Sequence, residues 1–243
     1  MGKYRVGIII VSDRKMKKAE AYEKLVEKRK TCSLCKDLRN PATVADGRCD
    51  RDQIGPWSLW QANLDSDCVV VGQDWGDISY FEKWEGRDQP FGNPTNENLQ
   101  KLLKNVGVEI GKPRDRQNQV VFLTNLILCL KTGGLQGRVD DQWFTNCSST
   151  FFKPLVEIVR PRVIIALGKT VSESILALYD IPYSKGATFS KLMCQSPYQL
   201  TNSMLLFPVY HCGAGSVNRN RSLPEQEQDW LMINKWLKNK DFR

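Results

Sequence analysis

Long apolar runs are absent from this sequence, and their absence excludes two classes of protein. No stretch of the 243 residues approaches the roughly 18 consecutive apolar residues that a transmembrane helix needs. The longest early apolar stretch, residues 6–11, is too short for the apolar core of a secretory signal peptide. Internal repeats and low-complexity tracts are absent as well. We therefore expect a soluble, cytoplasmic protein with no membrane partner.

The chain is long enough to bury a core, because 41% of its 243 residues are hydrophobic. This length falls within the range of one α/β domain. We predict a single domain over residues 1–243, with a core at 32–243 and an N-terminal extension of strand and helix at 1–31. We expect a monomer.

Because a secretory signal is absent, the eight cysteines argue against a disulfide scaffold and for metal binding, redox chemistry or simple burial. Cys32 and Cys35 form a CxxC pair, whose sulfurs can reach one ion or cluster from a single turn, and Cys129 and Cys147 follow much later. By spacing alone, a zinc ion and an iron–sulfur cluster are comparable, and unrelated buried cysteines are a third interpretation. The other four are predicted to be ordinary cysteines: Cys49, Cys68, Cys194 and Cys212.

Acidic residues are outnumbered, since 35 Lys and Arg against 27 Asp and Glu give a formal net charge of +8. This charge suits a polyanionic partner such as DNA, because basic side chains release counterions from a phosphate backbone. The charge alone does not decide the matter, because many basic proteins bind no nucleic acid.

Apolar runs that resemble strands alternate with amphipathic stretches, which indicates a sheet covered by helices on both faces. The predicted fold class is α/β, a three-layer α/β/α sandwich with a mainly parallel, four-stranded central sheet. The central strands are predicted at 68–71, 120–124, 163–167 and 205–210, with an additional strand at 4–11. Helices are predicted at 15–30, 96–106, 151–159, 169–179 and 224–238.

A polar, turn-rich segment at 40–67 is predicted to be a long ordered loop, with Trp57 and Trp60 packed onto the body of the protein. In open α/β sheets, ligands bind at the carboxyl ends of the strands. We therefore expect function on the loops that follow the predicted strands.

Seven short motifs follow one another along the chain. They are the CxxC of Cys32 and Cys35, GQDWG at 72–76, PFG at 90–92, Thr124-Asn125 leading to Cys129, Cys147, ALG at 166–168, and HCG at 211–213. Each motif is weak alone, but their order and spacing resemble the uracil-DNA glycosylase superfamily, and most closely its iron–sulfur branch, family 4. The resemblance covers nearly the whole chain from Cys32 onward.

The resemblance implies an enzyme, a DNA glycosylase that hydrolyses the bond between base and sugar, with DNA as its partner. It also implies a 4Fe–4S cluster held by Cys32, Cys35, Cys129 and Cys147, which favours iron–sulfur over zinc. A structural role is expected for the cluster, since nothing in the sequence requires redox chemistry.

Asp74 departs from the resemblance, because family 4 has alanine at the third position of its first motif, whereas family 1 has aspartate there, in GQDPYH. Cleavage of the glycosidic bond develops positive charge on the sugar, which a carboxylate stabilises while it positions water for attack. Asp74 is therefore predicted to be catalytic. The alternative is an aspartate that caps a turn.

His211 is the only histidine in the sequence and ends the last predicted strand. It matches the histidine that opens the corresponding loop in relatives, where a hydrogen bond to O2 of the departing base stabilises the base anion. We predict that role for His211. A contact with phosphate and a purely structural role are the alternatives.

Four residues are predicted to bind the flipped base. The Asn125 amide offers a donor and an acceptor side by side, which suits uracil and, turned over, cytosine. Phe91 would stack on the base, although it can equally be a core aromatic. Gln73 replaces the glutamate of family 4. Gly76 stands where family 1 has a tyrosine that excludes thymine. Family 4 also has glycine there and blocks the space in another way, so an open wall is one interpretation of this side of the pocket.

DNA contacts are predicted in the glycine-rich segment 211–222, read as a loop whose backbone can approach phosphates closely. Its candidate contacts are Gly213, Ser216, Arg219 and Arg221, and Val217 is a candidate wedge. The segment lacks the Pro-Ser that follows the histidine in relatives. Further basic candidates, each of which can equally be solvated surface, are Lys131, Arg138 and Lys169.

The function predicted from these residues is a monofunctional DNA glycosylase that removes a flipped uracil or modified pyrimidine in DNA repair. Because no lysine stands obviously at the point of attack, we expect an abasic product without strand cleavage. One alternative is excision of hydroxymethylated or glucosylated cytosines from phage DNA in antiviral defence. Others are a DNA-binding protein that has lost catalysis and an iron–sulfur or zinc protein unrelated to DNA.

Overall fold

A computed structural model describes residues 4–55, 64–89, 91–111, 121–134 and 137–238, with side chains from Lys15 onward except at Asn218 and Lys238. Trp57, Trp60 and Pro90 lie outside these ranges, as does Val120 at the start of one predicted strand.

The centre of the fold is a five-stranded sheet in the order β2-β1-β3-β5-β4. The strands are β1 Cys68–Gly72, β2 Val121–Asn125, β3 Val163–Leu167, β4 Tyr198–Thr201 and β5 Met204–Val209. The first four in spatial order are parallel, and β4 pairs with β5 antiparallel. Every residue of β1, β2 and β3 is buried, as expected of parallel strands covered on both faces. The α/β class and the mainly parallel sheet are confirmed.

The fifth strand, β4, was not predicted. Its four residues alternate between buried Tyr198 and Leu200 and exposed Gln199 and Thr201. That pattern is typical of an edge strand with one face in solvent. It is too short to stand out against the surrounding loop, so the prediction stopped at four strands.

Nine helices are present in the described ranges. They are α1 Tyr4–Lys30, α2 Ile78–Lys83, α3 Pro94–Asn105, α4 Asp141–Cys147, α5 Lys153–Val159, α6 Lys169–Leu178, α7 Phe189–Cys194, α8 Ala214–Arg219 and α9 Leu223–Lys238. All five predicted helices coincide with members of this set. A π-helical turn at Ser148–Phe152 joins α4 to α5, so the predicted helix at 151–159 is the end of a longer helical segment.

The predicted strand at 4–11 is wrong, because these residues form the first turns of α1. Their β-branched composition favours a strand, but strand propensity depends strongly on context. Once a helix has nucleated, each further residue adds a hydrogen bond at little cost. The helix that was predicted from residue 15 therefore extends back to Tyr4.

Two apolar cores cover the faces of the sheet. Along β1, Val69 and Val71 join the core beneath α1, α5 and α6, whereas Cys68 and Val70 join the core beneath α3 and α9. In the second core, Trp230 on α9 is completely buried. This alternation gives the three-layer arrangement, since successive side chains of a strand point to opposite faces.

The segment that links α1 to the sheet is held by polar contacts. The buried guanidinium of Arg29 contacts both carboxylate oxygens of Asp50, at 2.8 and 2.9 Å. The backbone N–H of Ile54 donates to the Tyr22 hydroxyl at 3.0 Å, and the Thr124 hydroxyl donates to the Ile54 carbonyl at 2.9 Å. Burial raises the pKa of Tyr22 to about 12. These bonds attach the loop before β1 to both α1 and β2.

None of the helices in the described ranges combines the length and apolar character that crossing a membrane would require.

Asp88 is a buried acid in the segment between α2 and α3. Its carboxylate accepts a hydrogen bond from the Trp75 indole N–H at 3.4 Å. Burial nevertheless raises the pKa of Asp88 from 3.8 to about 7, against the opposing effect of Trp75. The folded state therefore holds the Asp88 proton up to a higher pH than the unfolded state does.

Replacing Asp88 by asparagine is expected to stabilise the protein progressively as pH rises from about 4 to 7. The wild type loses stability in that window because it must ionise a buried carboxyl, up to about 4 kcal/mol at pH 8. Urea denaturation of both proteins at pH 4.5 and pH 8 measures the difference. Asp37→Asn, at an exposed position, is the control. An Asp88→Asn effect that does not change with pH would contradict the raised pKa.

Candidate active site

The carboxyl ends of four strands meet at one edge of the sheet. Gly72 at the end of β1 is in register with Asn125 at the end of β2, and Leu167 of β3 is in register with Val209 of β5. A cavity of about 570 Å³ opens at this edge. Its wall includes residues 72–76, the first turn of α3, residues 167–171 and the loop and helix after β5. Several of the candidate residues, among them Asp74, Asn125 and His211, therefore lie around one cavity at the strand ends.

The GQDWG loop after β1 is held by the loop after β2. Three backbone N–H groups of the second loop donate to carbonyls of the first: Leu126 to Gly72 at 3.0 Å, Ile127 to Gln73 at 2.9 Å, and Lys131 to Gly76 at 3.0 Å. Backbone bonds of this kind leave the loop little freedom, so the side chains between them are positioned before any ligand arrives.

Asp74 lies in the cavity wall with only 6% of its side chain exposed. One carboxylate oxygen, Oδ2, accepts from Gln73 Nε2 at 2.7 Å and lies 3.2 Å from Lys131 Nζ. The Lys131 side chain is 4% exposed and also lines the cavity. A lysine therefore contacts the candidate catalytic carboxylate, and Lys131 is not solvated surface. This contact joins residues distant in sequence, so residue patterns could not predict it.

His211 follows β5, and its ring is reached from the cavity. The backbone N–H of Gly213 donates to Nδ1 at 3.0 Å. Neutral imidazole therefore carries its proton on Nε2. Desolvation lowers the pKa of His211 below its ordinary value, and the Asp74 carboxylate opposes this effect. At neutral pH the ring is thus a neutral donor through Nε2–H.

Glycine is needed at position 213 because the backbone approaches the imidazole so closely. A Cβ at this position would stand 2.9 Å from Nδ1 of His211 and 3.1 Å from the Thr95 hydroxyl. Both distances are shorter than ordinary carbon contacts, so a side chain would displace the ring. Gly213 therefore orients His211 in addition to lining the cavity.

Asn125 presents an unpartnered amide to the cavity. Its residue is 1% exposed, and neither Nδ2 nor Oδ1 has a hydrogen-bond partner within the described part of the chain. Burying an unsatisfied polar group costs about 1–3 kcal/mol. A buried amide without hydrogen bonds is typical of a group that forms them with a ligand. The edge of a pyrimidine base offers the matching donor and acceptor.

Gly76 lines the cavity without a side chain and has a φ of 121°, a conformation that favours glycine. The same cavity includes polar groups that were not predicted to line it: Tyr80, Asp88, Asn93, Thr95 and Asn96. Trp75, next to Gly76, packs edge-on against Phe81 with ring centroids 5.0 Å apart. Residues 88, 93, 95 and 96 thus contribute polar groups to the wall. The only sequence signal for these residues was that they flank the predicted PFG motif at 90–92.

Two predicted contacts lie elsewhere. Phe91 is 66% exposed and is not among the described residues that line the cavity. Arg221 binds both carboxylate oxygens of Asp229, at 2.6 and 2.8 Å, and lies over the Tyr210 ring. In this conformation neither side chain lies in the cavity wall. Stacking by Phe91 on a base and a phosphate contact by Arg221 therefore remain predictions.

The segment 211–222 is not the loop that its glycines predicted, because residues 214–219 form the short helix α8. Its start is tied to α3, since Asn98 Nδ2 donates to the Cys212 carbonyl at 2.8 Å. These tertiary contacts override the low helix propensity of glycine. Ser216 and the exposed Arg219 lie in the cavity wall, as does Lys169 at the start of α6.

Four of the eight cysteines surround a second cavity, of about 290 Å³. Cys32, Cys35, Cys129 and Cys147 line it together. Burial and the neighbouring thiols raise the pKa of Cys129, and burial raises that of Cys147 to about 12. All eight cysteines, each within the described ranges, are free thiols. No three Cys, His, Asp or Glu side chains of the described residues are grouped tightly enough to hold a single metal ion.

Hydrogen bonds fix the chain around the CxxC pair. The Asn40 amide donates to three carbonyls at the end of α1: Arg29 at 2.7 Å, Cys32 at 3.0 Å and Lys30 at 3.2 Å. Asn146 Nδ2 lies 3.4 Å from the Cys35 sulfur. Arg39 and Leu130 exchange backbone hydrogen bonds at 2.9 and 2.8 Å. The cysteine segment is thereby joined to the loop that carries Lys131.

No curated protein matches the sequence. A family model described as the uracil DNA glycosylase superfamily matches residues 59–238, which contain both the sheet and the cavity. The chain therefore belongs to the uracil DNA glycosylase superfamily.

Proposed function

We propose that the protein is a DNA glycosylase that hydrolyses the N-glycosidic bond of a uracil flipped out of DNA. The observation that carries this proposal is the convergence of the Asp74 carboxylate, the His211 imidazole and the unpartnered Asn125 amide on one cavity. A carboxylate, a neutral donor and a base-reading amide are the groups that this hydrolysis needs. Membership of the superfamily supports an enzyme that acts on DNA.

In the proposed reaction, the bond between C1′ and the base lengthens, and positive charge develops on the sugar while negative charge develops on the base. The Asp74 carboxylate stabilises the sugar cation and directs water to C1′. The Nε2–H of His211 donates to O2 of the departing base, and one such donor contributes roughly 10²–10³ in rate. Because Gly213 already holds Nδ1, the ring needs no reorientation during the reaction.

Base recognition is assigned to Asn125. Its amide stands at the strand end, with both polar atoms available to a base edge. The donor and acceptor of uracil's N3–H and O4 match this pair, and an analogue without them leaves the amide buried and unpaired. Around the mouth of the cavity, Arg219 and Lys169 are proposed to contact phosphates, in keeping with the net charge of +8.

We also propose that the chain belongs near the iron–sulfur branch, with a 4Fe–4S cluster bound by Cys32, Cys35, Cys129 and Cys147. One observation supports this assignment: the four thiols surround one cavity. The cluster's role would be structural, because it would link α1 to the loop after β2.

A second candidate changes the base and keeps the chemistry. The wall of the cavity includes Gly76 and the polar side chains of Asp88 and Asn96, and its volume of about 570 Å³ lies in the range of pockets that hold whole drug-sized ligands. Such space could accept a 5-substituted pyrimidine bearing hydroxyl groups, such as a hydroxymethylated or glucosylated cytosine. That specificity would suit defence against phages with modified DNA better than repair.

Replacing Asp74 by asparagine is expected to lower the rate of base release by about 10²–10⁴, because the neutral amide stabilises the sugar cation poorly. The rate is measured on labelled duplexes that contain uracil, with alkali used to reveal abasic sites. Asp77→Asn is the control, since Asp77 caps α2 by accepting from the Tyr80 N–H at 2.8 Å and asparagine caps equally well. Full activity of Asp74→Asn would refute this mechanism. Tight binding without base release by the wild type would favour a DNA-binding protein that has lost catalysis.

Protein purified without oxygen is expected to be brown, with about four iron atoms per chain. Cys129→Ala should lose most of this iron and absorbance, because one of four ligands is gone. Cys194→Ala should keep both, since Cys194 is exposed and is not among the residues that line the thiol cavity. Iron and zinc analysis together with visible spectra measure the result. A colourless, iron-free protein that folds and releases base would exclude the cluster.

The second candidate is tested with duplexes that carry uracil, cytosine, 5-hydroxymethylcytosine or its glucosylated form. If the region beyond Gly76 accepts a substituent, a modified cytosine should be released at least about tenfold faster than plain cytosine, which leaves that region empty. Single-turnover rates at saturating enzyme make the comparison independent of product release. Release of uracil alone from this panel would eliminate the second candidate and leave the first intact.

A further inference from the structure

The peptide unit between Cys212 and Gly213 joins α3 to the imidazole of His211. Its N–H, which belongs to Gly213, donates to His211 Nδ1 at 3.0 Å. Its carbonyl, which belongs to Cys212, accepts from Asn98 Nδ2 at 2.8 Å. These two bonds lie at opposite ends of one rigid group, because a trans peptide is planar and its C=O and N–H point in opposite directions. The direction of the N–H therefore depends on what holds the carbonyl.

Glycine at position 213 makes this peptide unit easy to rotate. A Cβ there would stand 2.9 Å from His211 Nδ1, so the close approach to the imidazole requires glycine. Because glycine has no Cβ, its backbone torsions are also less restricted than those of any other residue. Rotation of the peptide unit would carry the N–H away from Nδ1. The residue that makes room for the ring thus needs a further contact that keeps the peptide in place.

We propose that Asn98 is a positioning residue, which through this peptide unit holds His211 in the tautomer that carries its proton on Nε2. The inference rests on the proposed function, in which Nε2–H donates to O2 of the departing base. Asn98 is not among the described residues that line the cavity, so it acts through the peptide and not on the ligand. The orientation of its amide is fixed as well, because a carbonyl oxygen only accepts and the atom that faces it must be the nitrogen.

A second contact from α3 reaches the same residue. The thiol of Cys212 donates to the Thr95 carbonyl at 3.5 Å. Burial raises the pKa of Cys212 to about 12, so the sulfur keeps the proton that this bond needs. Helix α3 therefore holds Cys212 by its side chain and by its carbonyl. Only the bond from Asn98 to the carbonyl acts directly on the peptide unit that reaches the imidazole.

The bond from Asn98 also strengthens the bond to His211. Hydrogen bonds in series polarise one another, so donation to the carbonyl makes the N–H of the same peptide a stronger donor. A stronger donor favours a lone pair on Nδ1 and leaves the ring proton on Nε2. Desolvation lowers the pKa of His211 below its ordinary value, so the ring is neutral near pH 8. The tautomer then decides which of its nitrogens can donate to a base.

NMR of ¹⁵N-labelled protein measures this tautomer directly, because His211 is the only histidine in the sequence. Near pH 8 the wild type is expected to show an unprotonated Nδ1 and a protonated Nε2. Asn98→Leu removes the donor with little change in volume, and Asn98→Asp keeps the shape but presents only acceptors to the carbonyl. In both variants the chemical shifts of the two ring nitrogens should move toward each other, because the tautomer with its proton on Nδ1 becomes populated.

Gln100→Leu is the matched control. The Gln100 amide donates to the Gly111 carbonyl, so this change also removes a bond between an α3 amide and a loop carbonyl. Its ring-nitrogen shifts should equal those of the wild type. With a uracil duplex, Asn98→Leu should lower kcat about tenfold and change KM by less than about twofold, because the bond to O2 strengthens in the transition state. Gln100→Leu should change neither constant, and melting temperatures verify that all variants are folded.

Failure of the proposed function and failure of this inference give different results. If the wild type releases no base from any duplex, the glycosylase function fails, and the nitrogen shifts still show whether Asn98 sets the tautomer of His211. Wild-type shifts in both Asn98 variants, or a wild type with its proton on Nδ1, overturn the positioning role and leave the glycosylase intact. An equal change in Gln100→Leu overturns it as well, because that result would indicate general loosening of α3.

Discussion

The backbone hydrogen bonds between the loop after β2 and the GQDWG loop after β1 are the constraint on which the site depends. They run from Leu126, Ile127 and Lys131 to the carbonyls of the GQDWG loop, so the two loops are joined at three points. The parallel register of β1 and β2 brings their ends level and makes these bonds possible. Asp74 and Asn125 therefore face one cavity without any side chain having to hold the loops together.

The cysteine cavity lies on the same structural unit, since Cys129 is one of its lining residues and lies between Ile127 and Lys131. The backbone exchange of Arg39 with Leu130 joins the CxxC segment to this loop, and the π-helical turn after α4 begins directly after Cys147. A bridge among the four thiols would thus stiffen the loop from behind. This arrangement explains how a group remote from the reacting atoms could matter for a site built from loops.

Much of this arrangement could be predicted from the sequence, because strand ends and short motifs are local features. Asp74, Asn125 and His211 each follow an apolar run, and the parallel sheet brings them together. The helix at 4–11 was missed because β-branched composition favours a strand when neighbouring residues are ignored. Lys131 and Asp88 could not be assigned, because an ion pair and a buried carboxyl depend on contacts between distant segments. The pairing of Arg221 with Asp229 has the same origin.

The Asp74–Lys131 pair also accounts for how a carboxylate can be kept buried in the wall of the cavity. A lone carboxylate in this wall would carry an uncompensated desolvation cost of several kcal/mol, whereas a paired one does not. The Lys131 side chain is equally enclosed, so loss of either partner would leave the other charge buried and uncompensated.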